Sequence, residues 1–223
     1  MPDIALEDRI QTERKPLMTT DAPFWDKIAD KYAASPIKNM AAYEITLERT
    51  KAYLTKEQDV LEVGCGTGTT ALKLAPNVKR LTATDISRRM IEICQEKAVA
   101  EGAHNIQFRQ AALPDDTLEA DSLDAILCFN TLHLVADLPA TLKNLHTALK
   151  PGSVLISKTV CLAEQTRLWG IPIFLMRLIG KAPYVNLLTF DDIERAIKTT
   201  GFETVETGLY PKPFSRFVVA RKA

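Results

Sequence analysis

Val60-Leu61-Glu62-Val63-Gly64-Cys65-Gly66-Thr67-Gly68 is the stretch of this 223-residue chain that decides its architecture. A short apolar run reads as a buried strand, three glycines follow at alternate positions, and Ala71, Leu72, Leu74 and Ala75 begin a helix. Glycine there supplies unusual backbone angles and lets a ligand reach the main chain without meeting a Cβ. A strand, a glycine turn and a helix in that order mark the first crossover of an open α/β sheet, where nucleotide-like ligands bind.

Downstream, Leu81-Thr82-Ala83-Thr84-Asp85 reads as a second strand ending in a carboxylate. About 20 residues past the glycines is the separation at which an acid meets ribose hydroxyls. The two features together imply an adenosine-containing ligand. Their detail selects which one. The glycines are spaced GxGxG, with Thr69 where a dinucleotide fingerprint has its third glycine. Glu62 lies two residues before the first glycine, where it would repel a pyrophosphate and attract a cation. S-adenosylmethionine carries a sulfonium and an ammonium, so charge and spacing both favour it over NAD.

Outward from this centre, strand patterns at 60–63, 81–84, 106–109, 125–129 and 154–159 alternate with amphipathic helices. Ser87 is placed to cap the helix running toward Gly102, and Pro139 to sit in the first turn of the next, which is expected to stop at Pro151-Gly152. Thr189-Phe190-Asp191-Asp192 resembles a capping box, and Gly201 can close that helix in the left-handed conformation. Two last strand patterns follow at 202–209 and 214–220. This alternation specifies an α/β fold, a mainly parallel sheet with helices on both faces. Upstream, residues 1–20 are polar and aperiodic and read as an N-terminal arm. Residues 21–55 carry two helical patterns broken at Ser35-Pro36. Phe24, Ile28, Lys31 and Tyr32 mark the first, and Met40, Tyr43, Ile45 and Leu47 the apolar face of the second.

Composition bounds the function. Lys plus Arg and Asp plus Glu each total 28, so the basic excess of a nucleic-acid binder is missing and no nucleic-acid partner is expected. Apolar residues make up 46%, enough for one core without disulfides or a structural metal. The cysteines, Cys65, Cys94, Cys128 and Cys161, form no CxxC pair and the three histidines are scattered, so no metal site is expected. The stretch MPDIALEDRIQTERK is too charged for a signal peptide, and no apolar run reaches transmembrane length. The cytoplasm is the expected compartment.

Glu62-Val63-Gly64-Cys65-Gly66-Thr67-Gly68 resembles motif I of the class I S-adenosylmethionine-dependent methyltransferases. Asp85-Ile86-Ser87, with Met90 after it, is similar to that family's ribose-binding acid and following helix, and Leu123-Asp124-Ala125-Ile126-Leu127 to its fourth strand. Residues 145–158, with Leu149-Lys150-Pro151-Gly152 at their centre, resemble the approach to the fifth strand. Residues 24–32, FWDKIADKY, are similar to the helical lid of small-molecule members. The resemblance covers roughly residues 22–222 and implies a Rossmann-like seven-stranded sheet whose last strand is antiparallel. It divides residues 21–223 into a lid at 21–55, the cofactor domain, and an acceptor-side insertion at 160–188. The chain departs from the family after the third strand. Where many relatives have an acid for the adenine amino group, Ala111 stands, leaving Ile86, Met90, Ala112 and Leu113 to pack on adenine.

The expected cofactor set is therefore Tyr32, Glu62, Gly64, Gly66, Gly68, Asp85, Ile86, Met90, Ala112, Leu113 and Asn130. Methyl transfer from a sulfonium asks the protein for alignment, and for a base when the acceptor carries a proton. Acceptor-side groups should follow the fourth strand, at Phe129-Asn130-Thr131-Leu132-His133-Leu134. Asn130 is placed to touch the methionine end. His133 has a pKa suited to catalytic base work, or else packs in a short turn. Tyr32 and Tyr43 either close over the cofactor or serve as ordinary packing aromatics. Residues 168–179 are apolar on all sides with Arg177 as their one charge, so something must cover them. A lipid-like acceptor drawn from a membrane surface suits them, as does a core plug or a homodimer contact. The whole reads as a methyltransferase acting on a small, partly apolar acceptor. An S-adenosylmethionine-binding protein without activity and, less favoured, an NAD-linked oxidoreductase are the alternatives.

Overall fold

In the computed structural model, residues 21–210 and 214–223 are described, so the arm expected at 1–20 lies outside the described residues. Seven strands form one sheet: β1 (Asp59–Val63), β2 (Arg80–Asp85), β3 (Ile106–Gln110), β4 (Leu123–Phe129), β5 (Leu149–Val160), β6 (Phe202–Leu209) and β7 (Ser215–Lys222). Their order is β3-β2-β1-β4-β5-β7-β6. The pairs β1–β2, β1–β4, β2–β3 and β4–β5 are parallel, while β7 runs antiparallel to both β5 and β6. The seven-stranded, mainly parallel sheet with an antiparallel last strand is thus as expected. Helices α1 (Ala22–Ala34), α2 (Met40–Lys51), α3 (Thr69–Leu74), α4 (Arg88–Glu101), α5 (Leu138–Ala148), α6 (Gly170–Leu178) and α7 (Phe190–Thr199) complete it.

The central strands are apolar on both faces because helices cover both. Leu61, Ile126 and Leu155 face a cluster completed by Leu142 and Leu145 of α5 and Ile193 and Ile197 of α7. Val60, Leu81, Leu127 and Ile156 face the other cluster, with Leu72 and Leu74 of α3 and Ile91 of α4. Each such side chain contributes roughly 1.5–3 kcal/mol on burial, which makes these two layers the main source of stability. Because chain order reverses between β2 and β4 on either side of β1, the carboxyl ends of β1 and β4 part to leave a crevice.

The local stops work as their chemistry dictates. Ser87 Oγ accepts the Met90 amide at 3.1 Å, and Gly102 closes α4 at φ +64°. Thr189 and Asp192 form the reciprocal capping box at 3.0 and 3.1 Å, and Gly201 follows α7 at φ +106°. Two expectations are corrected. Helix α5 ends at Ala148 rather than at Pro151-Gly152, because Leu149 already pairs with Leu123 and the chain then bulges through Gly152 at φ +79°. Helix α2 turns Ala42, Thr46, Leu47 and Thr50 inward and leaves Met40 and Ile45 exposed. Thr46 and Thr50 can be buried because each hydroxyl donates to the carbonyl four residues back, at 2.8 Å.

Candidate active site

A cavity of about 610 Å³ fills the crevice. Glu62, Gly64 and Gly66 come to it from β1 and the glycine turn, Asp85 and Ile86 from β2, and Met90 from α4. Ala111, Ala112 and Leu113 follow β3, and Phe129, Asn130, Leu134 and Val135 follow β4. Trp25 and Tyr32 of α1, with Arg177 and Tyr184 from the insertion, complete the wall. Every residue of the expected cofactor set therefore lines one cavity except Gly68.

The three glycines turn out to have different reasons. A Cβ on Gly68 would lie 2.8 Å from Cys94 Sγ and 3.1 Å from Phe108, so the protein's own packing forbids it. A Cβ on Gly64 would fall 2.3 Å from Thr131 Oγ1, the hydroxyl that donates to the Val63 carbonyl at 3.1 Å. Only at Gly66 is the space open, the nearest atom being Tyr32 Cε1 at 3.7 Å. Gly66 alone gives a ligand free approach to bare backbone. For Gly64 and Gly68 the sequence reading is corrected from ligand access to close packing, and Gly68 is outside the cavity.

Two acids set the electrostatics. Glu62 is 2% exposed and its Oε2 has no hydrogen-bond partner. Burial, and then the Asp85 charge, push its pKa up to about 8. Asp85 accepts the Gly66 amide at 2.9 Å through Oδ2 and the Ser87 amide at 2.9 Å through Oδ1. Burial outweighs these bonds and raises its pKa to about 6. A buried carboxylate oxygen without a donor is costly unless something else supplies one. The orphaned oxygen of Glu62, at the cavity wall, fits an ammonium group. The open backbone at Gly66 and the Asp85 carboxylate fit a ribose, so the residues present fit S-adenosylmethionine.

Helix α1 is held over the cavity by contacts the sequence did not disclose. Asp26 Oδ1 accepts from Ser87 Oγ at 2.6 Å and from the Arg89 amide at 3.1 Å, so it caps α4 from another helix. Arg89 also pairs with Asp30 at 2.8 Å. This docking brings Tyr32 beside Gly66 and Trp25 into the wall. Burial against the cavity wall, and then the Asp85 charge, raise the Tyr32 pKa, although 53% of the residue as a whole is exposed. Tyr43, by contrast, stays outside the lining and meets Thr70 Oγ1 at 3.4 Å.

Asn130 adopts φ +55°, which Asn tolerates better than most residues, while its amide donates to the Lys158 carbonyl at 2.6 Å. His133 lies in a short turn, the place expected for it if it is not the catalytic base. It is 9% exposed, its Nδ1 has no partner, and it does not line the cavity. Burial lowers its pKa to about 4, which weakens it as a base. The residues that sequence reasoning missed are Trp25, Asp26, Arg177 and Tyr184. Arg177 lies 5.0 Å from the Tyr184 ring centroid, and the Tyr184 amide donates to Asp21 Oδ2 at 2.9 Å, tying the insertion to the start of α1. None has a spacing signal, because each depends on segments far apart in the chain.

Residues 60–152 match a family model described as a methyltransferase domain. YcgJ, an uncharacterized methyltransferase of Bacillus subtilis (strain 168), is 28% identical over 133 residues, covering 60% of this chain and 52% of YcgJ. The hybrid PKS-NRPS synthetase mpsA of Macrophomina phaseolina (strain MS6) is 31% identical over 162 residues, covering 67% of this chain and 4% of the synthetase. The chain thus spans about half of one relative and a small part of the other. Among solved structures, the cyclase SpnF matches with a TM-score of 0.76 at 15% identity, over 92% of this chain and 96% of SpnF. That likeness is one of fold.

Proposed function

We propose that this chain, whose residues 60–152 match the model of a methyltransferase domain, transfers a methyl group from S-adenosylmethionine to a small, substantially apolar acceptor. Glu62 carries the reading: a carboxylate buried at the cavity wall with one oxygen unpartnered. An ammonium supplies what that oxygen lacks, whereas a pyrophosphate would bring a second negative charge beside it. When bound, S-adenosylmethionine supplies a methyl group activated on a sulfonium.

The chain's own residues bind, orient and exclude water. Glu62 takes the amino end and Asp85 the ribose hydroxyls. Gly66 offers bare backbone, and Ile86, Met90, Ala112 and Leu113 offer apolar surface to adenine. Asn130 stands at the methionine end. Trp25, Phe129, Leu134 and Val135 give the remaining cavity an apolar stretch of wall, with Asp21, Arg177 and Tyr184 as its polar edge, which suits an acceptor with an apolar body. Enclosure between α1 and the insertion provides alignment, the protein's main contribution to an in-line displacement. The balance of 28 cationic and 28 acidic side chains favours a small acceptor over a nucleic acid. Four buried, unpaired cysteines suit a reducing compartment, the cytoplasm.

Calorimetry with S-adenosylhomocysteine and with NAD tests the cofactor, and labelled S-adenosylmethionine offered with a metabolite panel tests transfer. Micromolar binding of S-adenosylhomocysteine with labelled product supports the reading. Tight NAD binding with no S-adenosylhomocysteine signal overturns it. Cofactor binding without turnover across the panel would leave a binding protein instead.

A further inference from the structure

Helix α6 carries apolar side chains around nearly its whole circumference and has no buried residue. Ile171, Phe174, Leu175 and Leu178 recur at helical spacing and point away from the body, each 56–67% exposed. Leu168 and Ile179, just outside the helix, extend the stripe at 69% and 64%. The side facing inward carries Gly170, whose Cβ position would meet Leu187, the half-buried Ile173, and Arg177 over Tyr184. An apolar stripe of this length facing water marks an interaction surface.

Its charge pattern selects the partner. Between Glu164 and Asp191 the chain has no acidic residue, but it has Arg167, Arg177 and Lys181. Arg167 and Lys181 flank the stripe and are exposed; the 3.8 Å pair of Arg167 with Asp192 is solvent-facing and worth little. Beside the stripe, Lys27 and Arg177, with Asp21 as the one acid, line a second cleft of about 410 Å³ between α1 and the end of α6. A twofold dimer through this stripe would bring the flanking Arg167 and Lys181 of both copies to one apolar seam, with Asp192, the ion-pair partner of Arg167, as the acid at hand. A surface with an apolar interior and anionic headgroups complements both features at once. The helix has nine residues, and no described helix is long and apolar enough to cross a membrane, so the geometry is that of lying on a bilayer.

We propose that the outward stripe of α6, with Arg167, Lys181 and Lys27 around it, is a docking surface for an anionic lipid bilayer. The stripe enters the acyl boundary and the cations sit at headgroup level. Arg177 lines both the cleft at this surface and the main cavity, so docking places the cavity mouth against the lipid. An acceptor that partitions into membranes would then enter without crossing water.

Co-sedimentation of the full chain with vesicles of phosphatidylcholine, alone or mixed with phosphatidylglycerol, tests this without turnover. Binding is expected to the mixed vesicles only and to weaken with salt. Trp169, 45% exposed, should be quenched by bromine-labelled acyl chains. Phe174→Asp/Leu175→Asp should abolish sedimentation. Arg167→Gln/Lys181→Gln should weaken it roughly 25-fold, since each cation near an anionic surface is worth about fivefold. Circular dichroism and S-adenosylhomocysteine binding without vesicles should match wild type in both variants. Absence of binding to mixed vesicles at low salt, by protein that still binds S-adenosylhomocysteine, overturns the proposal and leaves the methyltransferase reading standing. Sedimentation unchanged in Phe174→Asp/Leu175→Asp also overturns it. So does a wild-type dimer that the same variant converts to monomer, which would assign the stripe to a second copy. Loss of S-adenosylhomocysteine binding in wild type would count against the methyltransferase reading alone.

Discussion

The backbone amide of Gly66 donates to Asp85 Oδ2 at 2.9 Å, so the carboxylate expected to meet the ribose also fixes the glycine turn. Asp85→Ala removes both that bond and the one from Ser87, and a ligand partner besides. Its affinity for S-adenosylhomocysteine should fall by about 1.5–3 kcal/mol, the range for hydrogen bonds to a charged group. Its melting temperature should fall too. Calorimetry and thermal melts check both; wild-type affinity would mean that the ribose lies elsewhere.

Glu62 should make both stability and binding depend on pH. Its folded pKa of about 8 lies above the ordinary carboxyl value of 4.5, so the folded protein holds a proton that the unfolded chain has lost. The stability this contributes is complete below pH 4.5 and is lost as pH rises through 8. Asp85 and His133 have folded pKa values of about 6 and 4, and comparison with Glu62→Gln cancels their contributions in the window from pH 6.5 to 8. There the ligand-free protein should lose stability relative to Glu62→Gln. A cationic ligand needs the ionised form, so affinity should rise up to about tenfold per pH unit toward pH 8, with proton release into the buffer. Glu62→Gln should bind weakly and without this slope. Calorimetry in buffers of different ionisation enthalpy measures the released proton, and its absence at pH 7 would sink the assignment.

The glycines should separate by readout. Gly68→Ala drives a Cβ into Cys94 and Phe108, so the cost appears as lost stability, about 1–3 kcal/mol as for overpacking elsewhere. Gly66→Ala meets no protein atom closer than Tyr32, and pays only about 1–2 kcal/mol for its left-handed backbone. Gly66→Val should abolish S-adenosylhomocysteine binding in protein that still folds. Denaturant melts and calorimetry on the same samples decide; a Gly66→Val protein with normal affinity would place the ligand away from this turn.

His133 should matter to folding and not to cofactor affinity. Its folded pKa of about 4 lies below the ordinary imidazole value of 6.5, so the unfolded chain takes up a proton first as pH falls. Its contribution is therefore present above pH 6.5 and is lost as pH falls toward 4, by up to about 1.4 kcal/mol per pH unit. His133→Phe should blunt that acid sensitivity and leave S-adenosylhomocysteine binding unchanged. Melts from pH 4 to 7 measure it. A variant with wild-type acid sensitivity would show that His133 is solvated in solution.

The main features of the site were legible because they are local. The strand, the glycine turn, the helix start at Ser87 and the acid at Asp85 are each written in a few adjacent residues, and their order along the chain prescribes a crossover. Glu62 could be assigned a cationic ligand from its charge and its place alone. The exit of α5 was misread at Pro151-Gly152 because strand pairing at Leu149, a contact with Leu123, ends the helix first.

Periodicity and turn chemistry thus determined the fold class and most of the residues that line the candidate site, since both act over a few residues of chain. Tertiary structure decided the rest. Only packing shows that Gly68 makes room for Cys94 while the space over Gly66 stays open to the cavity. Only the approach of α1 to α4 lets Asp26 cap a helix more than 60 residues away in the chain. A helical repeat of apolar residues says that α6 has a stripe, but not which way it faces. That direction is set by where Gly170 and Arg177 find partners, and it leaves the stripe on the outside.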